Sequence, residues 1–230
     1  MPISLLNEQL VFPAPSQAED GILAIGGDLS EARLILAYQS GIFPWYNDDE
    51  PIIWHCPDPR FVLFPKELKI TKSMKQLVNS KKYKVTINKN FEGVIAACRQ
   101  AKRKGQDGTW IHDEMMKAYL NLHNLGIAHS IEVWNAGNKL VGGLYGLNLG
   151  KIFYGESMFH LESNTSKLAF ITLINSFPFE LIDCQVYTQH LASLGARNIS
   201  LEEFLKINVK ESKKVNLLNR NLNFGKAVKE

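Results

Sequence analysis

Apolar and polar positions along the chain follow two patterns, with a break at 60–65. In the first, Leu34, Ile35 and Tyr38 recur at helical spacing. Ser30 can cap that run and Gly41 can stop it, which predicts a helix from Ser30 to Gln39. The flanking segments are irregular. Pro13 and Pro15 lie close together, Gly26-Gly27-Asp28 makes a turn, and Gly41-Ile42-Phe43-Pro44-Trp45-Tyr46 leads towards Trp54-His55-Cys56-Pro57-Asp58-Pro59-Arg60. Each proline pushes its predecessor towards extended geometry, so this stretch reads as ordered loop and short strand.

After Pro65 the pattern predicts helices near 71–80, 90–104 and 112–125, the second capped by Asn90 and the third stopped by Gly126. Strand-like runs cover 129–134, 139–147 and 151–159. Asn135-Ala136-Gly137-Asn138 and Asn148-Leu149-Gly150-Lys151 are the hairpin turns between them. A helix follows near Asn164, a strand over Leu181–Tyr187 and a short helix near Gln189–Leu194. A last helix starts at Ser200, where Glu203 completes a capping box. This order predicts an α/β (α+β) architecture with a mixed sheet: a small N-terminal domain over 1–62, a larger domain over 63–208 and a basic tail over 209–230. An acetyltransferase-like (GNAT-type) domain has this order, as do several other folds.

Two strands break their own pattern. Glu156 interrupts the apolar run Lys151–Phe159, where strict alternation puts Ile152, Tyr154, Glu156 and Met158 on one face. A carboxylate there needs water or a partner. Asp183 and Gln185 repeat the oddity two positions apart, as if projecting from one face of their strand and able to hold a hydroxyl, amine or ribose. Gly142, Gly143 and Gly146 in the neighbouring hairpin allow close backbone approach. Trp45, Tyr46 and Trp54 sit in the loop-rich segment. They are either the core of a small domain or a surface on which bases stack.

Composition narrows the class. A 45% hydrophobic content supports a sizeable core, and no apolar run reaches the roughly 18 residues of a membrane helix. The N-terminus lacks a secretory pattern, and Cys56, Cys98 and Cys184 are odd in number and scattered, which predicts a cytoplasmic protein. The net charge of +3 hides an asymmetry. Residues 66–104 hold twelve Lys/Arg against Glu67 and Glu92, and 209–230 hold six against Glu211 and Glu230, leaving the rest acidic. Lys72, Lys75, Lys81 and Lys82, with Lys102, Arg103 and Lys104, form a block able to grip phosphates without reading sequence. No glycine-rich phosphate loop and no metal-spaced His/Cys cluster is present. Ser157 lacks the second glycine of a nucleophile elbow.

Ordered motifs give a sharper reading. Gly26-Gly27-Asp28-Leu29-Ser30, Ala37-Tyr38-Gln39-Ser40-Gly41-Ile42-Phe43-Pro44-Trp45, Pro57-Asp58-Pro59-Arg60, Gly108-Thr109-Trp110-Ile111, His129-Ser130-Ile131-Glu132-Val133-Trp134, Val141-Gly142-Gly143-Leu144-Tyr145-Gly146, Gly155-Glu156-Ser157-Met158-Phe159, Ser166-Lys167, Leu181-Ile182-Asp183-Cys184-Gln185-Val186 and Ala192-Ser193-Leu194-Gly195-Ala196 run in order. Over about residues 11–205 the chain resembles the bacterial leucyl/phenylalanyl-tRNA–protein transferases. The resemblance implies an aminoacyltransferase that moves leucine or phenylalanine, less readily methionine, from tRNA. The acceptor is the α-amino group of a protein beginning with Arg or Lys, which is thereby marked for N-degron proteolysis. It implies a small N-terminal domain, an acetyltransferase-like domain, no metal or coenzyme, and action as a monomer away from membranes. Asp183 and Gln185 would lie at the reacting centre beside Glu156. Leu144, Phe153, Met158 and Leu173 would form the aminoacyl pocket, with Leu144 and Leu173 standing where Met and Phe are familiar. Tyr38, Trp45 and Trp110 would surround the terminal adenosine, and the lysine block would take the acceptor stem. Two rivals remain at this level. One is an acyl-coenzyme A-dependent N-acyltransferase on the same fold, and the other is a non-catalytic RNA-binding module.

Overall fold

The structure is a computed structural model that describes residues 3–101 and 109–212. In chain order the strands and helices are β1 (Ser4–Leu6), β2 (Ile22–Gly26), α1 (Glu31–Gln39), β3 (Phe43–Pro44), β4 (Ile53–His55), β5 (Arg60–Leu63), α2 (Lys72–Asn79), β6 (Lys84–Ile87), α3 (Phe91–Gln100), α4 (Asp113–Asn124), β7 (Ala128–Trp134), β8 (Leu140–Leu149), β9 (Ile152–His160), α5 (Thr165–Ser176), β10 (Leu181–Asp183), α6 (Gln189–Ala192), β11 (Arg197–Ile199) and α7 (Leu201–Ser212). The strands form a small sheet, β1-β2-β4-β3, and a seven-stranded sheet, β11-β5-β10-β9-β8-β7-β6. The larger sheet is mixed: β10 runs parallel to β9, while its other neighbouring pairs are antiparallel. Helices α3 and α4 cover one face. Helix α5, backed by α2, covers the other.

Local chemistry sets these elements. The Ser30 hydroxyl accepts from Arg33 N, Thr71 from Met74 N and Asn90 from Gly93 N, each meeting one orphan donor of a first helical turn. Gly126 ends α4's connection at φ +72°. Helix α5 is apolar nearly all round because it lies between the sheet and α2, and it buries Leu168, Ala169, Phe170, Ile171, Leu173 and Ile174.

The sequence reading names no strand at β1, β2, β5, β6 or β11, and β8 runs to Leu149, into the expected turn. Three further boundaries differ. Helix α3 ends at Gln100, with Ala101 extended, and Lys102, Arg103 and Lys104 lie outside the described residues. The strand expected over Leu181–Tyr187 stops at Asp183, because Gln185 adopts φ +62°. The tail expected from 209 starts as helix. Helix α7 continues to Ser212 and buries Asn208, Glu211 and Ser212, so only residues from 213 lie outside the described ones.

The hairpin glycines are required by contact. A Cβ on Gly146 would stand 2.1 Å from the Tyr154 carbonyl oxygen and 2.7 Å from the Phe153 ring. Gly146→Ala should therefore cost about 3 kcal/mol in a urea unfolding experiment, since backbone must move to admit the methyl.

Candidate active site

Strand β9 pairs with β8 through Leu144↔Met158 and Tyr145↔Ser157, and then through Gly146↔Gly155 and Leu147↔Tyr154. Glu156 is the extra residue of a β-bulge. This overturns the strict alternation expected for the strand. Past the bulge every side chain changes face, so Met158 joins Phe153 instead of Glu156. Bulges commonly re-aim a side chain at a site, and here the extra residue is a carboxylate.

Three elements converge on Glu156. Tyr38 from α1 donates to Oε1 at 2.7 Å, and Tyr119 from α4 donates to Oε2 at 2.9 Å. The Nε2 of Gln185, just past β10, donates to Oε1 at 3.0 Å. The two tyrosine hydroxyls also meet each other at 2.5 Å. Burial drives the Glu156 pKa up, and the Asp183 charge adds to this. Hydrogen bonds from both tyrosines and Gln185 pull it back, leaving it raised to about 7.

Asp183 is placed differently. Arg60 Nε reaches its Oδ1 at 2.9 Å and Nη2 its Oδ2 at 2.7 Å, with both side chains fully buried. Oδ1 also accepts the backbone N–H of Gln185 at 2.9 Å. Asp183 and Gln185 therefore do not project in parallel from a strand. The aspartate holds a turn, and the turn presents the glutamine. With its amine group turned to Glu156, the Gln185 amide leaves its oxygen as the acceptor for a substrate N–H.

Glu156, Gln185 and Asp183 share a cavity of ≈ 410 Å3. Of the expected pocket residues, Leu144, Phe153 and Met158 line it. Leu173 does not; it is fully buried in the core behind, and Phe170, nearly one turn earlier on α5, lines the wall instead. Trp45 and Trp110 both line the cavity, Trp45 being 40% exposed. Tyr38, expected around the adenosine, has no exposed surface. Its ring is edge-on to Tyr154 and its hydroxyl is committed to Glu156, so it offers no face for stacking. Lys72, Lys75, Lys81 and Lys82 are exposed on and just after α2, which packs against α5. Cys184 lines the cavity, but burial, and next the Asp183 charge, push its thiol up and keep it protonated. His190 also lines the cavity, and burial lowers its pKa. His129 is held neutral by burial, at about 3. Among the described residues no cluster of His, Cys, Asp and Glu could hold a metal ion.

Residues 62–208 match the family model described as leucyl/phenylalanyl-tRNA protein transferase, and 27–58 match the model of that protein's N-terminal domain. The chain therefore belongs to the leucyl/phenylalanyl-tRNA–protein transferase family. A transferase of that name from Flavobacterium johnsoniae is 57% identical over 206 residues, covering 88% of this chain and 97% of its own. Those of Syntrophus aciditrophicus and Christiangramia forsetii are each 55% identical. They cover 89% and 87% of this chain, and 87% and 97% of their own lengths. Among solved structures, a GCN5-related N-acetyltransferase from Kribbella flavida aligns over 72% of this chain and 59% of its own. It is 10% identical, with a TM-score of 0.36.

Within this leucyl/phenylalanyl-tRNA–protein transferase family chain, sequence reasoning missed two residues that shape the site. Tyr119 lies within the helix expected near 112–125, and nothing in that segment marks it as a partner of Glu156. Arg60 closed a proline-rich loop, and nothing local marked it as the partner of Asp183. The one available signal was charge balance: a buried aspartate in β10 requires a buried cation somewhere.

Proposed function

We propose that this chain transfers leucine or phenylalanine, and methionine less readily, from aminoacyl-tRNA to the α-amino group of proteins beginning with Lys or Arg, marking them for N-degron proteolysis. The observation that carries the reading is the Glu156–Gln185 pair set in the wall of a mostly apolar cavity. Its volume falls in the range of roughly 300–1,000 Å3 that suits small ligands, and Leu144, Phe153, Met158 and Phe170 offer apolar surface to an unbranched-at-Cβ side chain.

The chemistry asks little of the protein. Replacing an ester with an amide needs no energy input, and an α-amino group with a pKa of about 8 is already partly neutral near pH 7. The site has to hold amine and carbonyl in attack geometry and move one proton. The Gln185 amide oxygen accepts from the amine and orients it. Arg60 and Asp183 act one step back, by fixing the turn that presents Gln185. No thiolate is at hand, because Cys184 is held protonated, which supports direct attack without an acyl-enzyme. Trp45 and Trp110 offer rings to the terminal adenosine, and the α2 lysines a sequence-blind contact for the acceptor stem. The same reading makes the protein a cytoplasmic monomer working without metal or coenzyme.

The test is to incubate the protein with radiolabelled leucyl-tRNA and a peptide beginning with Lys. Label should appear on the peptide's N-terminus, fall steeply with added salt, and be absent for a peptide whose N-terminus is acetylated. Folded protein that moves no label sinks the reading.

A further inference from the structure

Tyr38, Tyr119 and Glu156 pose a problem of proton number. Their oxygens close a ring of three contacts: Tyr38 to Tyr119 at 2.5 Å, Tyr38 to Oε1 at 2.7 Å and Tyr119 to Oε2 at 2.9 Å. Each phenol brings one proton. With Glu156 ionised, two protons must serve three contacts. If both phenols donate to the carboxylate, their own oxygens face each other with lone pairs alone between them. A third proton completes the ring, and Gln185 decides where it sits. Its Nε2 donates to Oε1, which makes Oε1 the carbonyl-like acceptor and leaves the proton on Oε2. The ring then runs one way: Oε2–H donates to Tyr119, Tyr119 to Tyr38, and Tyr38 to Oε1.

The surroundings enclose this ring. Neither phenol has exposed surface, and burial holds both well above the ordinary tyrosine range. Tyr145 from β8 lies edge-on to Tyr119, and Tyr154 from β9 lies edge-on to Tyr38. From β10 the acting charge is Asp183, which Arg60 of β5 neutralises. Glu156 itself stays open to the cavity.

We propose that Glu156 carries the reaction's proton and holds it between steps in this hydroxyl ring. The proposal rests on the aminoacyl-transfer reading above. In the first step the amine nitrogen bonds to the acyl carbon, the carbonyl π bond opens onto its oxygen, and the amine gives one proton to ionised Glu156. In the second, the acyl carbon–ribose oxygen bond breaks, and neutral Glu156 returns the proton to the departing ribose oxygen. One N–C bond replaces one C–O bond and no proton is gained or lost. Tyr38 and Tyr119 touch no substrate; they are positioning residues that make both states of Glu156 accessible near neutral pH.

The experiment follows single-turnover leucine transfer at saturating peptide from about pH 6 to about pH 9. The wild-type rate should rise through about 7, as Glu156 ionises. Tyr119→Phe removes a donor to the ionised form, so the rise should move up by about one pH unit and the lost rate should return at high pH. A uniform loss at every pH would mark a merely structural tyrosine and overturn the proposal. Glu156→Gln can reproduce the ring's hydrogen bonds but cannot carry a proton. It should lose about 100-fold or more throughout, and near-normal transfer would overturn the proposal.

A second readout needs no transfer. Folded Glu156 keeps its proton to about 7, against an ordinary value of 4.5. Burial, which outweighs the pull of the hydrogen bonds on Glu156, therefore gives its protonated form a contribution to stability that is whole below the ordinary value and is lost as pH rises through about 7. The stability difference between wild type and Glu156→Gln should change across that window. A flat difference overturns a Glu156 that holds its proton near neutral pH, whatever the activity. A pH-dependent difference in a chain that moves no leucine keeps the proton-holding ring and overturns the transfer reading instead.

Discussion

Replacing Arg60 with Met should cost the fold about 3–5 kcal/mol, because it leaves the Asp183 carboxylate in the core without its cation. The arginine has no exposed surface and ties four parts of the chain together. It pairs with Asp183 of β10 through two nitrogens, donates to the Gly41 carbonyl after α1 at 3.0 Å, and lies over the rings of Phe43 and Phe204 at 4.7 and 4.5 Å. Met keeps much of the apolar stem, so the loss isolates the charge. The double variant Arg60→Met/Asp183→Leu should regain part of the loss, since it removes the unpaired charge but leaves the Gly41 carbonyl and the Gln185 N–H without these partners. Urea unfolding of the two single variants and the double variant completes the cycle. A single variant costing less than about 1 kcal/mol would mean that this pair does not hold the turn.

The second large effect falls on the reaction and spares the fold. Gln185→Gly should lower the single-turnover rate constant about 100-fold while leaving urea stability nearly unchanged. Gln185 sits at φ +62°, where glycine carries no penalty, so the variant relieves backbone strain as it removes the amide. The loss should appear in the rate at saturating peptide more than in KM, because the amide orients an amine that is already bound. Gln185→Ala should show the same kinetic loss plus about 1 kcal/mol of instability, because it keeps the wild type's unfavourable φ and loses the amide's hydrogen bond to Glu156. Transfer within about threefold of wild type in the glycine variant would remove Gln185 from the reacting centre.

Much of the architecture was legible because its signals are short. Ser30 and Asn90 act on N–H groups three positions away, and Gly126 stops its helix on the spot. Glu156, Asp183 and Gln185 stood out because each is a polar side chain where burial was expected. Their geometry was not legible. Alternation assumes a regular strand, and a bulge at Glu156 inverts it for Met158. The left-handed turn at Gln185 cuts its strand short. The pocket reading reached Leu144, Phe153 and Met158, yet placed Leu173 on a wall that Phe170 makes. Position along a helix fixes direction to about 100° per residue, so three positions separate a lining residue from a buried one when both helix faces are apolar.

By itself the sequence determined the main helices and the central hairpin strands, the mixed α/β class, the ordered motifs of the family and the carboxylate–amide chemistry of the candidate centre. Tertiary structure alone decided which groups act on which. Tyr38 finds Glu156 across 118 positions and Arg60 finds Asp183 across 123. The reason is physical. Caps, glycine stops and alternation are settled within a few bonds of the backbone, whereas a buried charge or phenol is satisfied by whatever packing brings to it. Nothing near Glu156 in the chain specifies the burial that raises its proton affinity or the two hydroxyls that pull it back.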